Sequence, residues 1–257
     1  MNNALNGARI LVTRPQHQAE NLSRLIEQRG GIAVRFPTLD IASRDNVDEI
    51  KYTLANLDRY QWVIFISVNA VNFALKANGG KIGRTKFVHF AAVGQSTAQA
   101  MKMAELAVDL VPENGYNSEA LLLMPQLQQV ERQNCLIVRG EGGREQLATT
   151  LRSRGAEVNY LEVYKRIIPR IDGSPVVKLI EQRSLDVITV TSAEALQNLS
   201  LMLGENNHKL LSLIPLVVVS DRIRCIAADM GFNRITVTGS PTDTAILETV
   251  ITCVTGE

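Results

Sequence analysis

No sign of charge dominates this sequence: 27 lysines and arginines stand against 26 aspartates and glutamates. A basic face broad enough for nucleic acid, or for an anionic membrane surface, therefore has no compositional support, although a local basic site is compatible with the balance. Cysteine is scarce. Cys135, Cys225 and Cys253 are odd in number and widely spaced, with no C-x-x-C pair and no Cys/His cluster. That pattern excludes a zinc finger and a disulfide framework. Cys135 opens an apolar run and reads as core. His17, His89 and His208 are scattered, and a lone histidine is more often structural or solvated than catalytic. No apolar run approaches the roughly 18 residues needed to cross a bilayer. The start, MNNALNGARILV, has no charged segment followed by a long apolar one. The expectation is a soluble, cytoplasmic chain without a metal centre.

What is present is a well-filled globular composition. Hydrophobic residues make up 46% and charged residues 21% of 257, enough for one large or two ordinary domains. Short apolar, β-branched runs read as buried strands: ARILVT, WVIFIS, FAAV, CLIV, DVITVT, PLVVV and RITV. Each is followed by a polar or glycine-bearing turn and an amphipathic helical pattern. Leu22, Leu25 and Ile26 mark one apolar helix face, and Leu147 with Leu151 marks another. Gly30 and Gly155 are expected just past the ends of these helices.

The chain also repeats itself. ILVTRPQHQAENLSRLIEQRG (Ile10 to Gly30) lies 125 residues before CLIVRGEGGREQLATTLRSRG (Cys135 to Gly155). At that offset Arg14 falls on Arg139, Glu20 on Glu145, Leu22 on Leu147 and Gly30 on Gly155. IFISVNAV falls on TVTSAEAL, AAVGQSTAQA on VVVSDRIRCIA with one residue of slip, and SEALL on DTAIL. Chance likeness of βα units explains one such match. Four in order indicate an internal duplication. Strand and helix in alternation imply parallel sheets covered on both faces, hence two doubly wound, flavodoxin-like α/β domains.

In such sheets ligands sit beyond the carboxyl ends of the strands, where helices begin and unpaired N–H groups attract anions. The turns there are Thr13-Arg14-Pro15, Ser67-Val68-Asn69, Gly94-Gln95-Ser96-Thr97, Arg139-Gly140-Glu141, Thr191-Ser192-Ala193 and Ser220-Asp221-Arg222. They suit several carboxylates or phosphates, and ordinary helix capping by Ser, Thr and Asn accounts for each one singly. GEGGRE is neither a dinucleotide fingerprint nor a P-loop, and its duplicate TRPQHQAE has no glycine. The shared element is an arginine at a strand end, which suggests an anion clamp. No catalytic triad, H-E-x-x-H or Schiff-base lysine is present, so any reaction relies on positioning a reactive substrate.

ILVTRP, ISVNAV, AVGQSTA, SEALL, VRGEGGREQLATTLRSRGAEV with the following VYKR, VTSAEAL and VVVSDR, in this order and over nearly the whole chain, resemble the uroporphyrinogen-III synthase family. The resemblance implies closure of the linear tetrapyrrole hydroxymethylbilane with loss of water. It implies inversion of the last pyrrole ring through a spiro intermediate, and no cofactor. Unassisted closure gives the non-inverted isomer, so the protein must favour one transition state. By resemblance, Tyr164 in VYKR assists departure of the hydroxyl and Thr97 supplies a second hydroxyl. The alternatives are a packing tyrosine and a helix-start threonine. Substrate would meet Arg14, Ser67, Val68, Asn69, Gly94, Gln95, Ser96, Arg139, Gly140, Ser192, Ala193, Ser220 and Arg222. Asp221 would oppose a carboxylate unless it serves its helix.

From the sequence alone a boundary falls near Pro125. The resemblance instead implies a discontinuous domain, 1–36 plus 170–257, and a second, 40–165. Connectors at 36–41 and 162–169 would join them, with a cleft between the domains that closes on substrate. It also implies a monomer that contacts a small-molecule substrate and neither nucleic acid nor membrane, and leaves open transient contact with the preceding pathway enzyme. The main rival is a two-lobed α/β protein that binds a polyanionic small molecule without converting it. A nucleotide enzyme lacks its fingerprint, and a tandem receiver lacks a clustered acidic pocket.

Overall fold

A computed structural model of the chain describes residues 3–256 except 84, 85, 114 and 116. Along the chain, β1 (Arg9–Val12), α1 (Gln16–Gln28) and β2 (Ile32–Arg35) are followed by β3 (Asp40–Ser43) and α2 (Val47–Ala55). Then come β4 (Trp62–Phe65), α3 (Val68–Ala77), β5 (His89–Ala92), α4 (Gln95–Met103) and α5 (Ser118–Leu122). The next stretch holds β6 (Asn134–Gly140), α6 (Gln146–Ser153), β7 (Glu157–Ile167) and α7 (Ser174–Glu181). The last holds β8 (Val187–Val190), α8 (Ala193–Leu203), α9 (His208–Leu211), β9 (Leu216–Val218), α10 (Asp221–Asp229), β10 (Ile235–Val237) and α11 (Asp243–Thr255).

Two compact units result. One is formed by the chain up to Asp40 and from Ile167 on, the other by Ile41–Arg166. The first carries the sheet β10-β9-β8-β1-β2 and the second the sheet β3-β7-β6-β4-β5. The pairings β1–β2, β1–β8, β8–β9 and β9–β10 are parallel, as are β4–β5, β4–β6 and β6–β7. Numbered by order in its own unit, the first sheet reads 2-1-3-4-5, the flavodoxin order.

The duplication is visible in three dimensions. At the 125-residue offset β1 corresponds to β6, β2 to β7 and β4 to β8, and β5 corresponds to β9 with a small slip. The orders β9-β8-β1-β2 and β5-β4-β6-β7 are therefore the same order. Even the helix ends agree. Gly31 N–H donates to Ile26 O at 3.1 Å, and Ala156 N–H donates to Leu151 O at 3.1 Å. The glycines before them, Gly30 and Gly155, have φ of +76° and +84°, the left-handed conformation that glycine adopts without a side-chain clash.

Each sheet is covered on both faces, which is why its central strands are apolar throughout rather than alternating. β4 and β8 are buried at every position. In the first unit one face packs Val12, Leu22, Ile26, Ile246 and Val250, and the other packs Leu11, Ile188, Leu196, Leu199 and Ile223. In the second unit Val63, Phe65, Phe90, Val138 and Leu161 pack on one face, and Ile64, Cys135, Ile137, Leu147 and Leu151 on the other. Burial pushes the Cys135 thiol up to about 11, so it stays protonated and apolar at neutral pH. No helix among the described residues is long and apolar enough to cross a membrane.

Phe65 and Phe90, both fully buried, meet with ring centroids 6.2 Å apart. Phe65→Ala should destabilise the second unit by about 3–5 kcal/mol, the cost of lost burial plus a cavity. Urea unfolding followed by circular dichroism measures this, and a change below about 1 kcal/mol would show that the site collapses around the gap.

Candidate functional site

In each unit two neighbouring central strands send their helices to opposite faces of the sheet. In the first these are β1 and β8: α1 packs with Ile10 and Val12, α8 with Leu11 and Ile188. In the second they are β4 and β6: α3 packs with Val63 and Phe65, α6 with Ile64 and Ile137. At such a switch point the two turns diverge and leave a crevice at the carboxyl ends of the strands.

At the carboxyl ends of the second unit's central strands several of the expected residues come together. Ser67 lies in extended backbone as the cap of α3, and its Oγ accepts the Ala70 N–H at 3.1 Å. Val68 and Asn69 follow, half-buried. The Tyr164 hydroxyl lies 3.3 Å from Ser67 Oγ, and its ring centroid is 5.6 Å from that of Phe73 on α3. The ring covers Gly140: a Cβ there would stand 2.3 Å from Tyr164 Cε2. Gly140 is thus required for space rather than for backbone freedom.

A bulge aims this tyrosine. β6 and β7 run in register up to Arg139 opposite Glu162, and then Gly140 stands opposite Tyr164, leaving Val163 as an extra residue. Strand residues alternate between faces, and Tyr160 packs on the face of Ile137 while Leu161 and Val163 pack on the other. Strict alternation would return Tyr164 to the Tyr160 face. The extra residue puts it beside Val163, on the Ser67 side; re-aiming a side chain is what bulges near sites do.

Arg139 takes the opposite face. Its side chain is 4% exposed, and all three guanidinium nitrogens are engaged. Nε donates to Gly140 O at 3.1 Å, Nη1 to Glu145 Oε1 at 3.0 Å, and Nη2 to Gly142 O. The guanidinium carbon sits 4.5 Å from the centre of the Tyr160 ring, a cation–π distance. Tyr160 in turn donates its hydroxyl to Glu145. The Tyr160 hydroxyl, then Arg139, hold the Glu145 carboxyl below its ordinary range. Burial first, then Glu145, pushes the Tyr160 phenol up.

The remaining turns are distributed as follows. Gly94 starts α4 in extended backbone without a side-chain cap. Gln95 and Ser96 are exposed, and Thr97 in the first turn is 5% exposed. In the first unit Arg14 pairs with Asp243 at the start of α11 and donates to Pro241 O at 3.3 Å. Ser192 caps α8 by accepting the Ala195 N–H at 3.0 Å, and Ala193 follows half-buried. Ser220 caps α10. Asp221 in its first turn, where a carboxylate favours the helix dipole, pairs with Arg224 at 2.8 Å. Arg222 is exposed.

Residues 20–248 match the family model described as uroporphyrinogen-III synthase HemD. The chain belongs to the uroporphyrinogen-III synthase family. A curated uroporphyrinogen-III synthase of Escherichia coli (strain K12) is 32% identical over 243 residues, covering 93% of this chain and 98% of that protein. The fold is shared with solved structures. A mutant uroporphyrinogen III synthase from the extremely thermophilic bacterium Thermus thermophilus aligns with a TM-score of 0.60 at 16% identity, over 98% of this chain and all of that one. The Helicobacter pylori 26695 enzyme aligns at 0.58 and 13% identity, over 96% and 99%. Family membership favours the synthase over the two-lobed binder.

For this uroporphyrinogen-III synthase family member, several neighbours of the site escaped sequence reasoning. Tyr160 and Phe73 carry no motif. Glu145 falls on Glu20 in the repeat, yet the two have different partners: Glu145 pairs with Arg139, and Glu20 with Arg35. A signal did exist for Glu145, six residues after Arg139 at the start of an amphipathic helix. None existed for the bulge. The segment expected as the second connector, 162–169, is strand through Ile167, so Tyr164 is held by a sheet.

Proposed function

We propose that this chain closes hydroxymethylbilane to uroporphyrinogen III, and that Tyr164 is the group that acts on the leaving hydroxyl. The observation that supports this reading is the Tyr164 hydroxyl beside Ser67 at the switch point of the second unit. Ser67 Oγ already accepts the Ala70 N–H. Either hydroxyl can donate in the Ser67–Tyr164 pair; when Ser67 donates to the phenol oxygen, the phenol proton is left for a substrate oxygen. The electron pair of the terminal pyrrole nitrogen would expel the hydroxyl as the C–O bond breaks. The departing oxygen would take a proton from the phenol side and leave as water, and the proton released when the ring closes would return to the phenol oxygen. The phenol's contribution in the transition state is a hydrogen bond that strengthens as negative charge develops on the leaving oxygen.

Turns at the strand ends of each unit are the candidates for the acetate and propionate arms. In the second these are Ser67, Val68 and Asn69, Gly94, Gln95 and Ser96 with Thr97, and Gly140. In the first they are Ser192 and Ala193, and Ser220 with Arg222. Helix N-termini bind carboxylates through backbone N–H groups and a partial positive charge. Arg14 has an internal partner, Asp243, so it would contribute to a substrate only by exchanging that carboxylate. We place the reaction in the cytoplasm, in a monomer, with no cofactor.

A coupled assay tests the reading. Hydroxymethylbilane is generated in situ, the products are oxidised, and type I and type III uroporphyrins are separated by chromatography. Type III product that scales with added protein is the expected result. Type I alone, with and without folded protein, would sink the synthase reading.

A further inference from the structure

We infer that Arg139 is a positioning residue: gripped by Tyr160 and Glu145, it sets the conformation of the Gly140–Glu145 loop against Tyr164 and does not bind a substrate carboxylate. This rests on the synthase reading for its consequence, though not for its geometry. A substrate clamp needs a donor edge free to face the ligand. Each guanidinium nitrogen of Arg139 already donates to a carbonyl or carboxylate of its own loop, and Tyr160 covers one face of the group. Three of its five N–H groups are used in this way, and with the side chain 4% exposed an incoming carboxylate would have to open the loop to reach the rest. A cation this buried is retained only when its charge and hydrogen bonds are met, and here the loop meets them.

The loop is shaped around the guanidinium. Gly142 and Gly143 have φ of +69° and +106°, a conformation open to glycine. A Cβ on Gly143 would stand 3.2 Å from Arg139 Nη2. The far side of the loop is tied to β7 on both sides of the bulge: Glu141 N–H donates to Tyr164 O at 2.8 Å, and Gly142 N–H donates to Glu162 Oε1 at 3.2 Å. Guanidinium, loop and Tyr164 backbone therefore form one connected set. The duplicate position agrees, since Arg14 is also held internally, by Asp243 and Pro241 O.

Three variants decide the matter: Glu145→Gln, Tyr160→Phe and Arg139→Lys. Each is measured for kcat, KM and type III fraction, and for amide hydrogen exchange at Glu141 and Gly142. Positioning predicts that Glu145→Gln and Arg139→Lys lower kcat about tenfold with KM changed less than about threefold. Exchange at the two amides should speed up by about tenfold or more. Lysine should not rescue, because one ammonium cannot replace a planar fork holding three acceptors. Tyr160→Phe, which keeps the ring and loses only the hydroxyl, should fall between these and wild type. A clamp predicts otherwise: Glu145→Gln would free the guanidinium and lower KM, while Arg139→Lys would raise KM at unchanged kcat. Either pattern, or unchanged exchange in Glu145→Gln, overturns the inference. Should Arg139→Lys fail to fold, Glu145→Gln alone separates the two readings. Exchange reports on the loop even if the wild-type protein makes no type III product, so failure of the synthase reading is seen separately.

Discussion

Tyr164→Phe should lower kcat about 100-fold while leaving KM within a few-fold, the span expected for loss of one group that assists proton transfer in the transition state. A factor of 100 corresponds to about 2.7 kcal/mol of lost transition-state stabilisation. The fold should survive. The ring stays on Gly140 and beside Phe73, and the lost contact is one 3.3 Å hydrogen bond to Ser67, a change of roughly 0.5–1.5 kcal/mol. The product mixture supplies a second readout. Substrate that waits closes spontaneously to type I, so the slower variant should yield a larger type I fraction at equal protein concentration. A kcat within about twofold of wild type would return Tyr164 to the packing role that its buried ring already fills.

Gly140→Ala should do more harm than its one added carbon suggests. The new Cβ would lie 2.3 Å from Tyr164 Cε2 and 2.5 Å from Cζ, distances at which the ring must move. That ring is 7% exposed and packed in the apolar cluster of Phe65, Val71 and Val163, so it has little room. Overpacking of this kind costs about 1–3 kcal/mol of stability. Moving the ring also carries the hydroxyl away from Ser67, and misplacement of about 1 Å at a reacting group costs about 100-fold in rate. The expected result is a folded, less stable protein with kcat at or below that of Tyr164→Phe. The cause is checked by coupling. In a Tyr164→Ala background most of the stability cost of Gly140→Ala should vanish, because the two positions touch. Full additivity would mean that Gly140 is needed for some reason other than the ring.

Much of the fold was legible because its signals are local. Each of the seven apolar runs read as strands falls on one, and the turns after them hold Ser67, Ser192 and Ser220, which cap the helices that follow. β2, β3 and β7 were not read. β2 and β3 are edge strands, half-exposed and four residues long, so they carry neither a continuous apolar run nor a clean alternation. β7 is an interior strand, but Asn159, Glu162, Lys165 and Arg166 interrupt its apolar residues, and its end was read as a connector. The duplication was legible because both copies keep the same residue types at strand ends and helix ends.

The site was legible only as a set of turns. Apolar runs, capping hydroxyls and a constant offset are properties of neighbouring residues, and they determined two parallel α/β units with their candidate turns at the strand ends. Three things depended on residues far apart in sequence. Arg139, expected as an anion clamp, is held by Tyr160 and Glu145. Gly140, expected as part of an anion loop, makes room for a ring 24 positions later. Tyr164 points at Ser67 because one residue of β7 has no partner on β6. Periodicity alone puts Tyr164 on the same face as Tyr160. Only the pairing of two strands, whose register is a tertiary property, moves it to the other.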